Sequence, residues 1–325
     1  MSNKIKTVIG ACAISVGLAM SGIGAAQADW PERPIKVIVP YSPGGSPDQL
    51  TRKFSAVIAE HGFLSEPVNV VNVEGHFSVG ATEAKNARPD GYTFLFLHAA
   101  LMSAEVVNPD SGVSWRNYAP VAKTSNFGLT IVVNESSPWK TLPELMAATV
   151  GDHDIKFGVN LGAINHLTYI DLMDAWPGSD FKLVQVGGGG KQYPQLKGGH
   201  IQAGIMTSQD ILTFQDPELR VLGYSGPARL GALPEIPTFR EAGVEAGITY
   251  DYWWFAPKGT PQEAIDGFSA ALEKAIASDD MQKWLDAKGL TDDFLKGPEL
   301  VADIEATWEK IVPIAEKAKS ALKNK

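Results

Sequence analysis

Ile35-Lys36-Val37-Ile38-Val39-Pro40-Tyr41-Ser42-Pro43-Gly44-Gly45-Ser46-Pro47-Asp48 carries the pattern that decides how this chain folds. An apolar run, Ile35 to Val39, leads into a turn with two adjacent glycines, and an amphipathic stretch follows. That order reads strand, glycine-rich turn, helix. Adjacent glycines let backbone N–H groups come close to a bound anion, and the start of the following helix adds partial positive charge at the same place. The same residues also make an ordinary strand-to-helix corner with Asp48 as the N-cap. The turn alone does not separate the two readings.

Upstream of this turn, Lys4 and Lys6 precede an uncharged stretch from Val8 to Ala26, and Ala26-Gln27-Ala28 offers a small-x-small cleavage pattern. Residues 1–28 therefore read as a cleavable secretory signal, with cleavage after Ala28 and a mature chain starting at Asp29. A permanent anchor fits less well, because the stretch is glycine-rich and ends in a cleavage pattern instead of a basic stop. The one cysteine, Cys12, lies too soon after Lys6 for lipid attachment. The mature chain is thus expected to hold no disulfide, thiol nucleophile or cysteine metal ligand.

Cleavage removes two lysines and no acidic residue, leaving 26 basic against 37 acidic side chains and a formal charge of −11 in place of −9. An acidic exported protein of this size is a poor partner for nucleic acid or an anionic membrane surface. It is long enough for two lobes. If the ligand is an anion, the overall field opposes it, so local N–H and hydroxyl donors must supply the attraction.

Short apolar runs alternate with helical patterns along the mature chain. Ile35–Val39, Val68–Val73, Thr93–Leu97, Thr130–Val133, Ile155–Gly158, Lys182–Val186, Gln202–Met206 and Leu219–Gly223 read as strands. Helical patterns cover Asp48–His61, Val79–Asn86, Thr141–Ala148, Asn165–Ala175 and Gln192–Lys197. From Pro261 onward the pattern is helical throughout: Pro261–Ser278, Asp280–Lys288 and Pro298–Ala321. The alternation predicts an α/β fold with mostly parallel sheets flanked by helices. No linker rich in Ser, Pro or Gly marks a boundary, so the lobes are expected to be joined by extended crossings, near Leu129–Asn134 and in the aromatic stretch Tyr250–Pro257. That gives one discontinuous lobe of residues 29–130 with 250–325 and a second of residues 131–249. The ligand cleft would lie between them.

Catalytic patterns fail one by one. Gly223-Tyr224-Ser225-Gly226-Pro227 lacks the final glycine of a nucleophile elbow. Gly187-Gly188-Gly189-Gly190-Lys191-Gln192 resembles a phosphate loop, but Gln185 replaces the leading glycine and Gln192 the metal-binding Ser or Thr. The histidines, His61, His76, His98, His153, His166 and His200, show no metal-ligand spacing, and no dinucleotide fingerprint is present. No catalytic residue, metal or cofactor is expected.

What remains is a set of strand-to-helix loops suited to binding. Glu74 to Gly80, His98-Ala99-Ala100, Asn160 to His166 and Gly187 to Gly190 each follow a strand and are rich in Gly, Asn, Ser and His. Loops of that kind at the carboxyl ends of parallel strands suit a small polar ligand.

With those loops in place, the chain resembles the periplasmic solute-binding receptors of tripartite tricarboxylate transporters, also called Bug- or TctC-type receptors. The resemblance is carried by Trp30 to Lys36, by Pro40 to Asp48 against the family's Pro-Phe-x-x-Gly-Gly-x-x-Asp turn, and by Arg88 to Thr93. Ser137 to Leu142, His166-Leu167, Leu233 to Thr238, Glu241-Ala242-Gly243 and Phe255 to Pro261 continue it in family order over nearly all of the mature chain.

The resemblance implies a two-lobed fold of the type II periplasmic class and a monomer that closes on an organic carboxylate. It implies that the ligand is then delivered to a separate membrane permease. By position, the first lobe would bind through Tyr41, Ser42, Gly44, Gly45, Ser46 and Asp48, then Gly75, His76, Phe77, Ser78, Val79 and Gly80, then His98 and Ala99. The second lobe would add Ala163, Ile164, Asn165, Val186, Gly187, Gly188, Thr207 and Ser208, with Gln209 beside them. A di- or tricarboxylate is implied.

Departures from the family pattern bear on specificity. Ala163-Ile164-Asn165 stands where Ser or Thr is usual, Val186-Gly187-Gly188 replaces Tyr-Lys-Gly, and Ile205-Met206-Thr207 replaces Phe-Asp-Asn. Gly75-His76-Phe77-Ser78 replaces a stretch richer in glycine. Ile164, Val186, Met206 and Phe77 suit a ligand with an apolar or aromatic body, while Trp253 and Trp254 read as core or hinge packing. His76 and His98 are either donors to a carboxylate, favoured in their protonated form, or neutral residues bonded to a backbone carbonyl. Asp48 either meets a ligand ammonium group or caps its helix, and the absence of a second carboxylate favours the cap. A sensor presenting the same ligand to a membrane kinase, and an exported α/β enzyme, stay as alternatives.

Overall fold

The computed structural model describes residues 30–74, 77–151 and 154–323. The expected signal peptide (residues 1–28), Gly75, His76 and His153 lie outside them. The first half of the chain runs β1 (Ile35–Val39), α1 (Ser46–Glu60), β2 (Val68–Asn72), α2 (Phe77–Lys85), β3 (Thr93–His98), α3 (Ala100–Val107), β4 (Tyr118–Asn134) and α4 (Leu142–Ala148). Next come β5 (Lys156–Val159), α5 (Ile164–Ala175), β6 (Lys182–Gln185), α6 (Gly189–Lys197), β7 (Ala203–Thr207), α7 (Ser208–Phe214) and β8 (Leu219–Tyr224). The chain closes with β9 (Thr249–Pro257), α8 (Gln262–Ile276), α9 (Asp279–Ala287), β10 (Thr291–Leu295) and α10 (Gly297–Lys323). None of the described helices is long and apolar enough to cross a membrane.

The strands order as β2-β1-β3-β9-β4-β7-β5-β6, with β8 and β10 also paired to β4. The outer strands of each half are parallel, β1 with β2 and β3, β5 with β6 and β7. Each parallel step is joined by a helix, as the alternation in sequence requires. The pairings of β4 and β9 are antiparallel, as are those of β8 and β10 with β4. Both crossing strands enter the sheet centre against the direction of their neighbours, which strand-helix alternation does not reveal.

β4 is the element that makes the fold two-lobed. From Tyr118 to Gly128 it pairs with β9, and from Leu129 to Val133 it pairs with β7. At this changeover the N–H of Gly128 donates to the Tyr224 hydroxyl at 3.0 Å and that of Leu129 to Oγ of Ser225 at 2.9 Å. Ser225 passes its own proton to the carbonyl of Ile248 at 2.7 Å. The serine of the failed nucleophile elbow is thus a structural pin at the strand crossing.

β9 is buried on both faces: Tyr250, Tyr252, Trp253, Trp254 and Phe255 are each at most 1% exposed. Trp254 packs edge-on to Phe54 of α1 and Phe268 of α8, and its indole N–H donates to Thr124 at 3.0 Å. Burying each such ring stabilises the fold by roughly 1.5–3 kcal/mol, so the paired tryptophans are core, as their sequence context suggests. Behind the sheet, α10 packs on α3, α5 and β4, touching both halves.

Candidate functional site

The glycine turn is built by Asp48. Gly45 keeps an extended backbone as the N-cap of α1, and Ser46 is already helical, so Asp48 falls one turn in. From there its carboxylate accepts the N–H of Gly44 at 2.8 Å, Nδ2 of Asn72 at 2.9 Å and the Arg52 guanidinium. Asp48 is therefore not the N-cap expected from its position, and its carboxylate faces its own turn. Gly44 has φ of +80°, a conformation that favours glycine. Burial alone would raise the pKa of Asp48. The hydrogen bonds from Arg52, Gly44 and Asn72, with the Arg52 charge, hold it below the usual carboxylate range.

A cavity of about 280 Å³ lies where the two halves of the sheet meet. Five helices begin at its walls: α1 supplies Ser46 and Pro47, α2 Phe77, α3 Ala100, α5 Ile164 and Asn165, and α6 Gly189. Gly188, the N-cap of α6, and Thr207, the N-cap of α7, complete the rim. The helix starts give the space a positive potential suited to an anion, although none of its lining residues carries a fixed charge. Between those starts the surface is apolar, made by Phe77, Phe127, Leu129, Ile164, Ile205 and Tyr252. An adjoining outer cavity of about 560 Å³ shares Tyr41, Phe77, Asn160, Ala163 and Gly188 with the first, and its charged lining residue is Lys191.

Tyr41 and His98 form the polar centre of this wall. Tyr41 Oη and His98 Nε2 are 2.6 Å apart with the two rings stacked, and His98 Nδ1 accepts the N–H of Ala100 at 3.1 Å. Burial strips solvent from the imidazolium and pushes the His98 pKa down to about 3. The histidine is neutral at physiological pH. Of the two expectations, the protonated donor is corrected and the neutral form agrees, but the ring bonds a backbone N–H and a phenol instead of a carbonyl. Burial likewise pushes the Tyr41 phenol well up, so it keeps its proton.

The structure brings Tyr41, Ser46, Phe77, His98, Ala163, Ile164, Asn165, Gly188 and Thr207 together in the deep cavity, and Ser42 joins at the outer one. The other expected residues support the walls. Gly45 caps α1, Ala99 precedes α3 fully buried, and Val79 is exposed on α2. Gly80 lets α2 approach Pro40, since a Cβ there would stand 2.7 Å from the proline ring. Ser208 donates to the carbonyl of Gly289 at 3.0 Å. Ser78, Gly44 and Gly187 do not line either cavity.

Val186 and Met206 correct the specificity expectation. Both pack with Val132, Leu196 and Ile201 in a separate small core, because β7 turns Ile205 to the cavity and Met206 to the opposite face. Phe127, Leu129 and Tyr252 were not among the expected residues, since they lie on central strands and not on glycine loops. Asn165 lines the cavity while tying its loops: it accepts the Asn160 N–H at 3.1 Å and donates to the Gly187 carbonyl at 3.2 Å. Gln192, in the mock phosphate loop, instead bridges Gly187 and Ile205 at 2.8 Å each. Among the described residues, no group of three or more His, Cys, Asp or Glu could hold a metal ion.

Residues 52–317 match the model of the tripartite tricarboxylate transporter family receptor. Protein BugT of Bordetella pertussis is 28% identical over 290 residues, spanning 86% of this chain and 87% of that protein. The structure of the periplasmic binding protein BugD superposes with a TM-score of 0.76 at 25% identity, covering 90% of this chain and 98% of that one. R. palustris Rpa4515 with adipate superposes with a TM-score of 0.80 at 23% identity, covering 88% and 98%.

Proposed function

This chain belongs to the tripartite tricarboxylate transporter family of receptors, and from that premise we propose that it is a periplasmic solute receptor for a carboxylate with an apolar body. In this reading, residues 29–130 with 250–325 form one lobe and residues 131–249 the other, with β4 and β9 as the crossings. The monomer holds its ligand between them and delivers it to a separate membrane permease. It binds and does not transform its ligand.

The observation that carries this reading is the deep cavity, in which five helix starts surround an apolar surface without a fixed charge. Helix starts attract an anionic end at little cost in desolvated side chains, and Phe77, Phe127, Ile164 and Ile205 cover a hydrocarbon or aromatic body. A ligand with hydroxyl groups set against Phe77, Phe127, Ile164 and Ile205 would leave those groups unpaired. The structural neighbour Rpa4515 is described with adipate, a carboxylate with a methylene body, which supports this reading. Lys191 lines the outer cavity, and in this reading it would meet a second carboxylate extending there.

Thermal-shift titration against benzoate, terephthalate, adipate, malate and citrate tests the reading. Benzoate, terephthalate or adipate should raise the melting temperature in a dose-dependent way, since a ligand at a hundredfold excess over its Kd stabilises by about 2.7 kcal/mol. Malate and citrate should shift it less. No shift with any carboxylate would overturn the reading.

A further inference from the structure

We propose that the Tyr41 hydroxyl is the donor with which this cavity selects an acceptor-only group on its ligand, and that His98 and Ala100 fix the direction of that proton. The proposal rests on the cavity being the ligand site and names the residue that reads the ligand's polar end.

The direction follows from a chain of hydrogen bonds. The backbone N–H of Ala100 can only donate, so Nδ1 of His98, 3.1 Å away, accepts. In a neutral imidazole one ring nitrogen accepts and the other carries the proton. Nε2 of His98 therefore donates to Oη of Tyr41 across 2.6 Å. The phenol oxygen is the acceptor of that bond, and its own proton is left to point elsewhere. Tyr41 lines both the deep and the outer cavity, and in this proposal its hydroxyl proton points into the cleft.

The surroundings hold this arrangement in place. Ring stacking of Tyr41 on His98, with centroids 5.3 Å apart, and the edge-on rings of Phe127 and Tyr252 keep the imidazole from rotating. Burial disfavours both imidazolium and phenolate, so neither partner changes role near neutral pH. A ligand carboxylate accepts the Tyr41 proton. An ammonium group cannot, and no carboxylate among the lining residues would compensate it. Tyr41 is thus the specificity-determining donor and His98 a positioning residue.

Two measurements test this. Nitrogen-15 NMR of the ligand-free protein should show His98 neutral with its proton on Nε2 at pH 7; a proton on Nδ1, or on both nitrogens, would overturn the proposal without reference to any ligand. Calorimetry with benzoate and adipate as probes should show Tyr41→Phe weakening the bound carboxylate about tenfold, with benzylamine rejected. His98→Leu should weaken binding to a similar degree in the wild-type background and add nothing in the Tyr41→Phe background. Undiminished carboxylate binding by Tyr41→Phe would overturn the proposal while leaving the cavity as the site. If the wild type binds neither probe, the carboxylate reading itself fails, and the proposal with it.

Discussion

Ser103, in α3, donates its hydroxyl proton to the carbonyl oxygen of Gly162 at 2.6 Å, and so joins the loop before α5 to the opposite wall of the cleft. Ser103 is 1% exposed, and Gly162 reaches it in a left-handed turn with φ of +80°. The two halves of the sheet are thus bonded to each other beside the cavity as well as through β4 and β9.

Ser103→Ala removes this clasp and leaves a carbonyl without its donor. We expect a loss of about 1 kcal/mol, read as a lower urea midpoint with unchanged slope. A midpoint equal to that of the wild type would show that the bond contributes nothing net.

Neighbouring glycines at the start of α6 should respond in opposite ways. A Cβ on Gly189 would collide with the carboxylate of Asp210, which accepts the backbone N–H of Thr207 at 3.0 Å and its hydroxyl at 2.8 Å. Gly189→Ala should cost about 1–3 kcal/mol, by overpacking and by disturbing the capping box of α7. Gly190 has open space around its Cβ position, so Gly190→Ala should be neutral or stabilising by up to about 1 kcal/mol. Equal effects in thermal unfolding would contradict this account.

Asp48→Asn should destabilise the protein at pH 7 by about 1.5–3 kcal/mol, the usual worth of hydrogen bonds to a charged group. The pKa of Asp48 is lowered on folding, so its stabilisation is present above the ordinary carboxylate value near about 3.9 and is lost as pH falls through the folded value. The gap between wild type and variant should therefore narrow below about pH 4 in acid unfolding. A gap that stays constant to pH 2 would refute the assignment.

Asp251 should act in the opposite sense. It sits near Lys123, a lysine 4% exposed that also reaches Asp293 at 2.9 Å and Asp303 at 2.8 Å. Burial raises the Asp251 pKa to about 7, with the charges of Asp303 and Asp293 adding to the rise and Lys123 opposing it. A raised folded pKa means that its contribution to stability is full below the unfolded value and is lost as pH rises through about 7. Asp251→Asn should flatten the decline in stability between about pH 4 and 7, as read by urea midpoints. A variant with the wild-type profile would place that titration elsewhere.

The outer strands were legible because each parallel step repeats one local pattern, an apolar run followed by a glycine turn and an amphipathic helix. β4 was read only from Thr130 to Val133, because Pro120, Lys123 and Gly128 interrupt any alternation in its first part, where the pairing with β9 is bulged. α3 was missed since nearly every side chain from Ala100 to Val106 is buried, which erases the helical period. The loops expected from their chemistry do border the cavity. Which side chains face inward was not legible: Phe127, Leu129 and Tyr252 reach the site through antiparallel pairings between residues distant in sequence, Phe127 with Tyr250, Ser125 with Tyr252 and Leu129 with Thr207. Local sequence has no access to such pairings.

The helix α10 lies behind the cleft, against α3 on one side and α5 on the other, and Lys317 ion-pairs with Asp174 at the far end of α5. Both α3 and α5 point their starts at the cavity and lean on this one rod at the rear. If the cleft closes on a ligand as proposed, the rod would act as a fulcrum on which α3 and α5 rock, away from the cavity itself. In that reading, substitutions along α10 would tune ligand affinity from the back of the molecule.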